Sequence, residues 1–335
     1  MGIGSLVNKY GENSSPYVGN LVNHLPMGQL AFYKMTNSLE DTLAYSQKYI
    51  KRAKINPIKS DYKKLDSLEE CVGNRELYEP CLELFQDEMT LDNYNYSIFD
   101  TLNNYKLGMS SGLFHALIRV AYAIEGLELD EEYLPEVERA LSYYITAYRE
   151  AGEFKSGIDR DRIIHEMNNL ISNPSIIELL DENMSLGKKL KALYNDETYM
   201  KFGFVINGDP NEKINAILDL AITAYANSES IVALHCITGL HALIVLEKYW
   251  EDFPNALDIY TTCVVSHLLT IDGLILDELE LKEDYPSWEE IINRGLKSSD
   301  VHTLKLIYSS SELDKKYPHL SFKQITINRL EKEKL

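Results

Sequence analysis

Apolar residues recur along the chain three or four positions apart, as in helices, and no segment keeps the alternation typical of a β-strand. Proline and glycine, which interrupt helices, number only 10 and 17 among 335 residues. The pattern predicts an all-α, bundle-like protein. The predicted helices are 26–37, 39–54, 77–87, 95–106, 109–127, 131–151, 159–172, 174–195, 210–226, 229–251, 254–279, 287–295 and 299–313.

One stretch departs from the helical pattern. Residues 196–212 contain Gly203, Gly208 and Pro210, so this segment is predicted to be a linker or a strand-like exception. It also marks a soft boundary between two halves of the chain.

Two predicted helices are apolar nearly all round, over residues 112–125 and 231–243. A helix on a protein surface has one apolar face, whereas a helix that is apolar on all sides is buried. We therefore expect these two helices in the middle of the fold.

The few polar residues on these two helices lie on one side of each. His115, Arg119 and Tyr122 follow one another at i, i+4 and i+7, and His235 and His241 fall within one arc of the second helix. An unpaired buried polar group costs about 1–3 kcal/mol, so these side chains must find partners inside the protein. The two stripes predict a central cavity lined by histidines.

Two interpretations of the histidines remain open. Each of them can be a core residue that is hydrogen-bonded to a neighbour. Alternatively, histidines that converge from several helices build a metal site in a bundle core. His302 and Lys305 share a helix face, and His24 immediately precedes a helix start, so both places can contribute to such a centre.

Charge narrows the range of partners. The chain has 33 Lys and Arg against 52 Asp and Glu, a net charge of −19, which disfavours nucleic acid and anionic membrane surfaces. The longest uncharged stretch, 230–246, is shorter than the roughly 20 residues of a membrane span. The start of the chain lacks the pattern of a secretory signal, and the four cysteines form no CxxC pair. We expect a cytoplasmic protein.

Motifs of several common enzyme classes are missing from the sequence. There is no G-x-G-x-x-G after a strand, no Walker loop, no H-E-x-x-H and no G-x-S-x-G. The histidines are therefore the main candidates for chemistry.

Four segments occur in an order that resembles the questin oxidase-like family. They are N-H-L-P-M at 23–27, F-H-A-L-I-R-V-A-Y-A at 114–123, L-H-C-I-T-G-L-H-A-L at 234–243 and D-V-H-T-L-K-L at 300–306. The resemblance covers roughly residues 20 to 310, and these motifs would have to meet in one core. We therefore expect one domain over 1–335.

The resemblance implies an oxidoreductase, an oxygenase that acts on an aromatic or polyketide-type small molecule with dioxygen. It also implies a non-haem metal held by histidines, and our leading hypothesis is that this metal is Fe(II). The matched positions are His24, His115, His235, His241, His302 and Lys305. Because a protonated lysine is a poor ligand, Lys305 would join only as a neutral or carboxylated side chain.

Arg119 and Tyr122 are the candidates for catalytic residues that steer an oxyanion of the substrate. Two alternatives stay open. One is a metal-free, NADPH-dependent Baeyer–Villiger-type monooxygenase. The other is a non-catalytic helical protein that binds a small molecule.

Overall fold

The computed structural model describes residues 2–19, 21–180, 182–282 and 284–335. These residues form 17 α-helices, which confirms the all-α prediction. In chain order the helices are α1 (Ile3–Gly11), α2 (Leu25–Thr36), α3 (Leu39–Arg52), α4 (Tyr78–Glu88), α5 (Tyr94–Asn104), α6 (His115–Leu127), α7 (Leu134–Thr146), α8 (Ile163–Ile171), α9 (Pro174–Leu179), α10 (Leu186–Asn195), α11 (Glu197–Phe202), α12 (Pro210–Ser228), α13 (Ile231–Val245), α14 (Phe253–Leu269), α15 (Trp288–Gly295), α16 (Val301–Lys316) and α17 (Leu320–Lys332).

Strands contribute little to the described part of the chain. Two short strands, β1 (Tyr17–Val18) and β2 (Leu21–Val22), pair antiparallel just before α2. Two others, β3 (Ser156–Ile158) and β4 (Phe204–Ile206), pair in parallel. Since β4 lies within 196–212, this segment is strand-like in part, as the sequence indicates.

The centre of the fold is built from α2, α6, α13 and α16. Helix α6 packs against α2, α7 and α13, and α13 packs in turn against α16 and α12. Every residue of α6 is buried, and so is α13 from Ala233 to Leu243. The prediction that these two apolar helices lie in the middle is therefore confirmed.

One hydrophobic core extends through the molecule. Its buried residues run from Ile3 near the start of the chain to Ile325 in α17, and they include Leu193 and Phe204 on either side of the start of the 196–212 segment. Both halves of the chain therefore contribute to a single domain with a common core. A smaller apolar cluster joins α15, α16 and α17.

The helix predicted at 109–127 starts later than expected. Gly112, Leu113 and Phe114 all have positive φ, at 62°, 59° and 63°, so the chain makes a left-handed turn and α6 begins only at His115. Apolar periodicity does not reveal this turn, because Leu113 and Phe114 are residue types that rarely adopt a left-handed conformation.

Two other predicted helices also differ from the structure in their bounds. The predicted helix 174–195 is two helices, α9 and α10, and the one predicted at 254–279 ends at Leu269. A turn with a positive φ at Gly273 follows that end. Helices α1 and α17 were not predicted.

Candidate metal centre

Four histidines from four separate parts of the chain meet at the centre of the bundle. They are His24, His115, His235 and His302, and one ring nitrogen of each lies within 4.8 Å of the others. We call these four side chains the histidine centre. Three are buried, and the side chain of His302 is 23% exposed.

His24 is positioned by the start of α2. It occupies the N-cap, directly before Leu25 and Pro26, and its backbone N–H donates to the hydroxyl of Tyr49 at 3.1 Å. Its ring Nδ1 donates to the carbonyl oxygen of Val22 at 2.7 Å. This bond points the opposite nitrogen, Nε2, into the bundle.

His115 is positioned by the left-handed turn that precedes α6. Its Nδ1 donates to the carbonyl oxygen of Gly112, 2.5 Å away, within that turn. A Cβ atom at Gly112 would lie 2.6 Å from the hydroxyl of Tyr143, so only glycine fits there. Left-handed residues other than glycine cost about 1–2 kcal/mol each, and such strain often accompanies functional sites.

His235 and His302 follow the same pattern on α13 and α16. The Nδ1 of His235 donates to the carbonyl oxygen of Ile231, one turn earlier, at 2.7 Å. The Nδ1 of His302 is 3.0 Å from Oδ1 of Asp300, the N-cap of α16. Asp300 also accepts a hydrogen bond from Arg329, which fixes its carboxylate.

These hydrogen bonds assign the tautomers of the rings. A backbone carbonyl only accepts, so the Nδ1 atoms of His24, His115 and His235 must carry the proton. In the neutral rings, each Nε2 then presents a lone pair. Yet Nε2 of His115 lies 2.7 Å from Nε2 of His24 and 3.0 Å from Nε2 of His235. Lone pairs at these distances repel one another unless a cation lies between them.

A proton bound to one of the rings does not fit the role of that cation. Burial, with the neighbouring His115 and Lys305, holds the pKa of His24 well below its ordinary value of 6.5. Burial also lowers the pKa of His115 and His235 strongly, and that of His302 in spite of its bond to Asp300. The rings are therefore neutral at physiological pH.

Lys305 lies beside the histidine centre. Its side chain is fully buried, and its Nζ has no hydrogen-bond partner in the described part of the chain. Burial lowers the pKa of its ammonium group to about 7, and the lysine contributes to the lowered pKa of all four histidines. A lysine that is partly neutral at physiological pH can act as a nitrogen donor.

The donor set fits a transition-metal ion. Imidazole nitrogens suit Zn, Cu, Fe and Ni, and metal-bound histidines almost always donate their other N–H to a carbonyl or carboxylate. All four members of the histidine centre meet that condition. Two nitrogens bound to one ion at about 2.1 Å and at a right angle are about 3 Å apart, close to the distances between these Nε2 atoms. The four histidines can therefore bind a metal ion.

His241, a further predicted ligand, lies apart from this group. Its ring contacts those of Tyr122 and Tyr308, with centroids 6.2 and 5.5 Å away, and its Nδ1 has no hydrogen-bond partner in the described structure. Burial lowers its pKa to about 3. The structure thus brings together five of the six predicted ligand positions, when Lys305 is counted.

The two predicted catalytic residues lie further along α6. Arg119 is 3% exposed; its Nε donates to Glu136 at 2.8 Å, and its Nη1 has no partner among the described residues. Glu136 also accepts from Arg139 at 2.7 Å. We call Arg119, Glu136 and Arg139 the ion cluster. The hydroxyl of Tyr122 lies 3.1 Å from Oγ of Ser309 on α16.

Sequence reasoning missed the groups that orient the rings. Asp300 lies within the D-V-H-T-L-K-L segment, and an acidic residue two positions before a histidine at a helix start was a usable signal. The carbonyl acceptors at Val22, Gly112 and Ile231 carry no such signal, because any residue type supplies a carbonyl.

The fold and the site define a class: an all-helical protein with four histidines, three of them buried, that meet at the centre of its bundle. Comparison with protein-family models assigns the chain to a particular family within this class. The questin oxidase-like model matches residues 21–310, and the chain belongs to this family. The predicted resemblance is thereby confirmed, and the family name indicates an oxidoreductase.

Comparison with curated proteins gave no match. Within the described residues, none of the helices combines the length and the apolar character that a bilayer crossing requires. The cytoplasmic location stays a prediction.

Proposed function

We propose that the protein is a metal-dependent oxygenase, in which the histidine centre holds iron(II) and the substrate is an aromatic or polyketide-type small molecule. The observation that carries the proposal is the close approach of Nε2 atoms from His24, His115 and His235, whose protons are all on the opposite nitrogen. Family membership supports the oxidoreductase part.

In this proposal His24, His115, His235 and His302 are the ligands. Lys305 is the fifth donor, as a neutral amine or in carboxylated form, because its Nζ is buried beside the histidines without a partner. His241 is left out of the ligand set. A bound iron(II) ion would supply a site at which dioxygen is activated.

Two residues of α6 would serve the substrate. Arg119 has one guanidinium nitrogen, Nη1, that is not used by the ion cluster. Tyr122 presents its hydroxyl between α6 and α16. We assign both to the binding of an oxyanion on the substrate, since a fixed cation and a hydroxyl donor stabilise negative charge where water is excluded.

Metal analysis tests this function directly. Protein expressed with added iron and purified without oxygen should contain about one equivalent of iron. The His115→Ala variant should lose it, whereas the matched variant at the exposed His165 should not. Circular dichroism checks that both variants fold, and His235→Ala repeats the test if the first does not.

Iron below about a tenth of an equivalent in the wild type would contradict the proposal. NADPH consumption by iron-free protein that depends on an aromatic ketone would favour the metal-free monooxygenase instead.

A further inference from the structure

Polar side chains continue along α6 beyond the histidine centre. Tyr122 and Glu125 follow His115 by seven and ten residues. At 1.5 Å per residue, Glu125 is about 15 Å along the helix from His115. Glu125 is only 8% exposed, and an isolated buried carboxylate is costly. This residue therefore needs an explanation that the proposed metal centre does not supply.

Helix α16 provides the partner of Glu125. The hydroxyl of Tyr308 donates a hydrogen bond to Oε1 of Glu125. The rings of Tyr308 and Tyr122 meet edge to face, with centroids 5.5 Å apart, and Tyr122 is in turn bonded to Ser309. Hydroxyl groups from α6 and α16 thus line the interval between Glu125 and the histidine centre.

Helices α13 and α2 add to the surroundings, and so does Tyr133, the N-cap of α7, which is close enough to Glu125 to feel its charge. His241 of α13 packs its ring against Tyr308. From α2, the Nζ of Lys34 lies 3.8 Å from Oε1 of Glu125, and the lysine side chain is 28% exposed. On one side Glu125 therefore faces the bundle core. On its other side the partly exposed side chain of Lys34 separates it from solvent.

The second carboxyl oxygen of Glu125 has no donor among the described residues that would stabilise a negative charge on it. Oε2 of Glu125 is buried and has no hydrogen-bond partner in the described part of the chain, whereas Oε1 accepts from Tyr308. Burial raises the pKa of Glu125 to about 7, although Tyr308 and Lys34 lower it. Glu312 of α16 and Glu128 of α6 raise it further. A neutral carboxyl group, with its proton on Oε2, avoids an unstabilised charge at this buried oxygen.

The histidine centre leaves a charge to be balanced. Four neutral imidazoles around a divalent cation place two positive charges inside the protein. The carboxylate that contacts a ligand, Asp300, is already paired with Arg329. The ion cluster contains two arginines and one glutamate. A buried cation of this kind favours ionisation of any carboxyl group that can still lose a proton.

We propose that Glu125 and Tyr308 form a proton store for the histidine centre: Glu125 holds a proton on Oε2 in the metal-free protein and releases it to solvent, on the side of Lys34, when a divalent cation binds. The O–H bond of the carboxylic acid breaks, the proton leaves to water, and the carboxylate keeps the hydrogen bond from Tyr308 and the charge of Lys34. This inference rests on the proposed function in one respect, that a cation binds at the histidines.

The size of the effect follows from the distance. The two positive charges of a divalent cation lie about 15 Å from Glu125. In a medium with an effective dielectric constant of about 20, they lower the pKa of Glu125 by about 1–2 units. At pH 7, a group that is half protonated would become mostly ionised.

Infrared difference spectroscopy with Zn²⁺, which has no redox chemistry, tests the proposal without any substrate. At pH 7 the wild type should lose a protonated-carboxyl C=O band when Zn²⁺ binds, and Glu125→Gln should lack this change. The matched control is Glu138→Gln. Glu138 of α7 also has a pKa raised by burial to about 7, so Glu138→Gln should keep the part of the zinc-dependent change that Glu125→Gln loses.

Removal of the neighbouring charge gives an independent readout. Lys34→Gln should move the titration midpoint of the Glu125 band upwards, because Lys34 stabilises the carboxylate. This variant replaces a partly exposed residue, so it keeps the test available if Glu125→Gln does not fold.

The outcomes separate the two ideas. Zinc bound by wild type and lost in His115→Ala, with the same band change in Glu125→Gln as in wild type, would overturn the proton store alone. An unmoved midpoint in Lys34→Gln would also overturn it. Failure of the wild type to bind either zinc or iron would overturn the metal centre, and the proton store with it.

Discussion

Two polar clusters share helix α6, and they satisfy their buried groups in different ways. In the ion cluster, the two oxygens of Glu136 each accept a hydrogen bond from an arginine, at 2.8 and 2.7 Å, and Arg139 also donates to Asn8. In the histidine centre, proton-free nitrogens face one another. The charged groups of the ion cluster find nearly all their partners within the protein. The facing nitrogens of the histidine centre lack a partner unless a cation binds between them.

The difference separates a structural role from a functional one. Buried charges that find their partners inside the chain hold elements together, and here they join α6 to α7 and to α1. Buried groups that repel one another lower the stability of the fold, so stability does not explain why they are there. Their arrangement has to be maintained by the surrounding fold, as the strained turn before His115 maintains it.

The largest effect is expected from Glu136→Gln. The amide keeps the shape of the side chain but leaves two buried guanidinium groups without a counter-charge, which should lower the free energy of unfolding by about 3–5 kcal/mol. Urea unfolding measures it, with Glu138→Gln on the same helix as the control. The residual folded protein should still bind metal, and a cost below about 1 kcal/mol would show that Glu136 does not hold the cluster together.

Metal should stabilise the histidine centre and leave the ion cluster unaffected. At a free metal concentration of 100 times Kd, binding to the folded state alone adds about 2.7 kcal/mol to the free energy of unfolding. We expect zinc to raise the Tm of wild type and of the exposed-site control His165→Ala, but not of His115→Ala. A rise in Tm of the same size in His115→Ala would contradict the assigned ligand.

A smaller effect is expected from Gly112→Ala, which alters the turn rather than a ligand. An added Cβ is strained at a φ of 62° and meets the hydroxyl of Tyr143 at 2.6 Å, so we expect a loss of about 2 kcal/mol. The double variant with Tyr143→Phe removes the close contact but keeps the φ strain, and it should recover only part of the loss. Full recovery would mean that the left-handed conformation costs nothing here.

Much of this architecture could be predicted from the sequence, for a physical reason. Helices α6 and α13 are apolar all round, so their burial and the inward position of His115 and His235 follow from hydrophobicity alone. The motifs then connected His24, His302 and Lys305 to them. His241, six residues after His235, was grouped with the ligands because helical spacing alone does not say how far along a helix the centre extends.

Other features depend on contacts between distant parts of the chain. The left-handed turn at Gly112 to Phe114 is held by packing around it, and residue preference opposes it. Glu125 and Tyr308 are 183 residues apart in sequence, and their pairing exists only once α6 and α16 are packed together. Neither leaves a local pattern that sequence reasoning could use.

The smallest predicted effect is a difference in pH dependence between the two clusters in metal-free protein. Imidazoles that stay neutral when buried take up protons only in the unfolded chain, whose histidines titrate near 6.5. Stability should therefore fall as the pH drops below 6.5, by at most about 1.4 kcal/mol per pH unit for each histidine.

For Glu136, burial raises the pKa, but Arg119 and Arg139 outweigh this and hold it below its ordinary 4.5. Its contribution is fully present above 4.5 and is lost only at lower pH. Between pH 6.5 and 5 the histidines therefore lower the stability as the pH falls, and Glu136 adds nothing to this slope. Glu125 and Glu138, whose pKa burial raises to about 7, act in the opposite direction.

Urea unfolding across this range should give a shallower slope for His115→Ala than for wild type, while Glu136→Gln should keep the wild-type slope. Equal slopes in His115→Ala and wild type would show that His115 is already protonated in the folded protein, and that a proton rather than a metal ion separates the facing nitrogens.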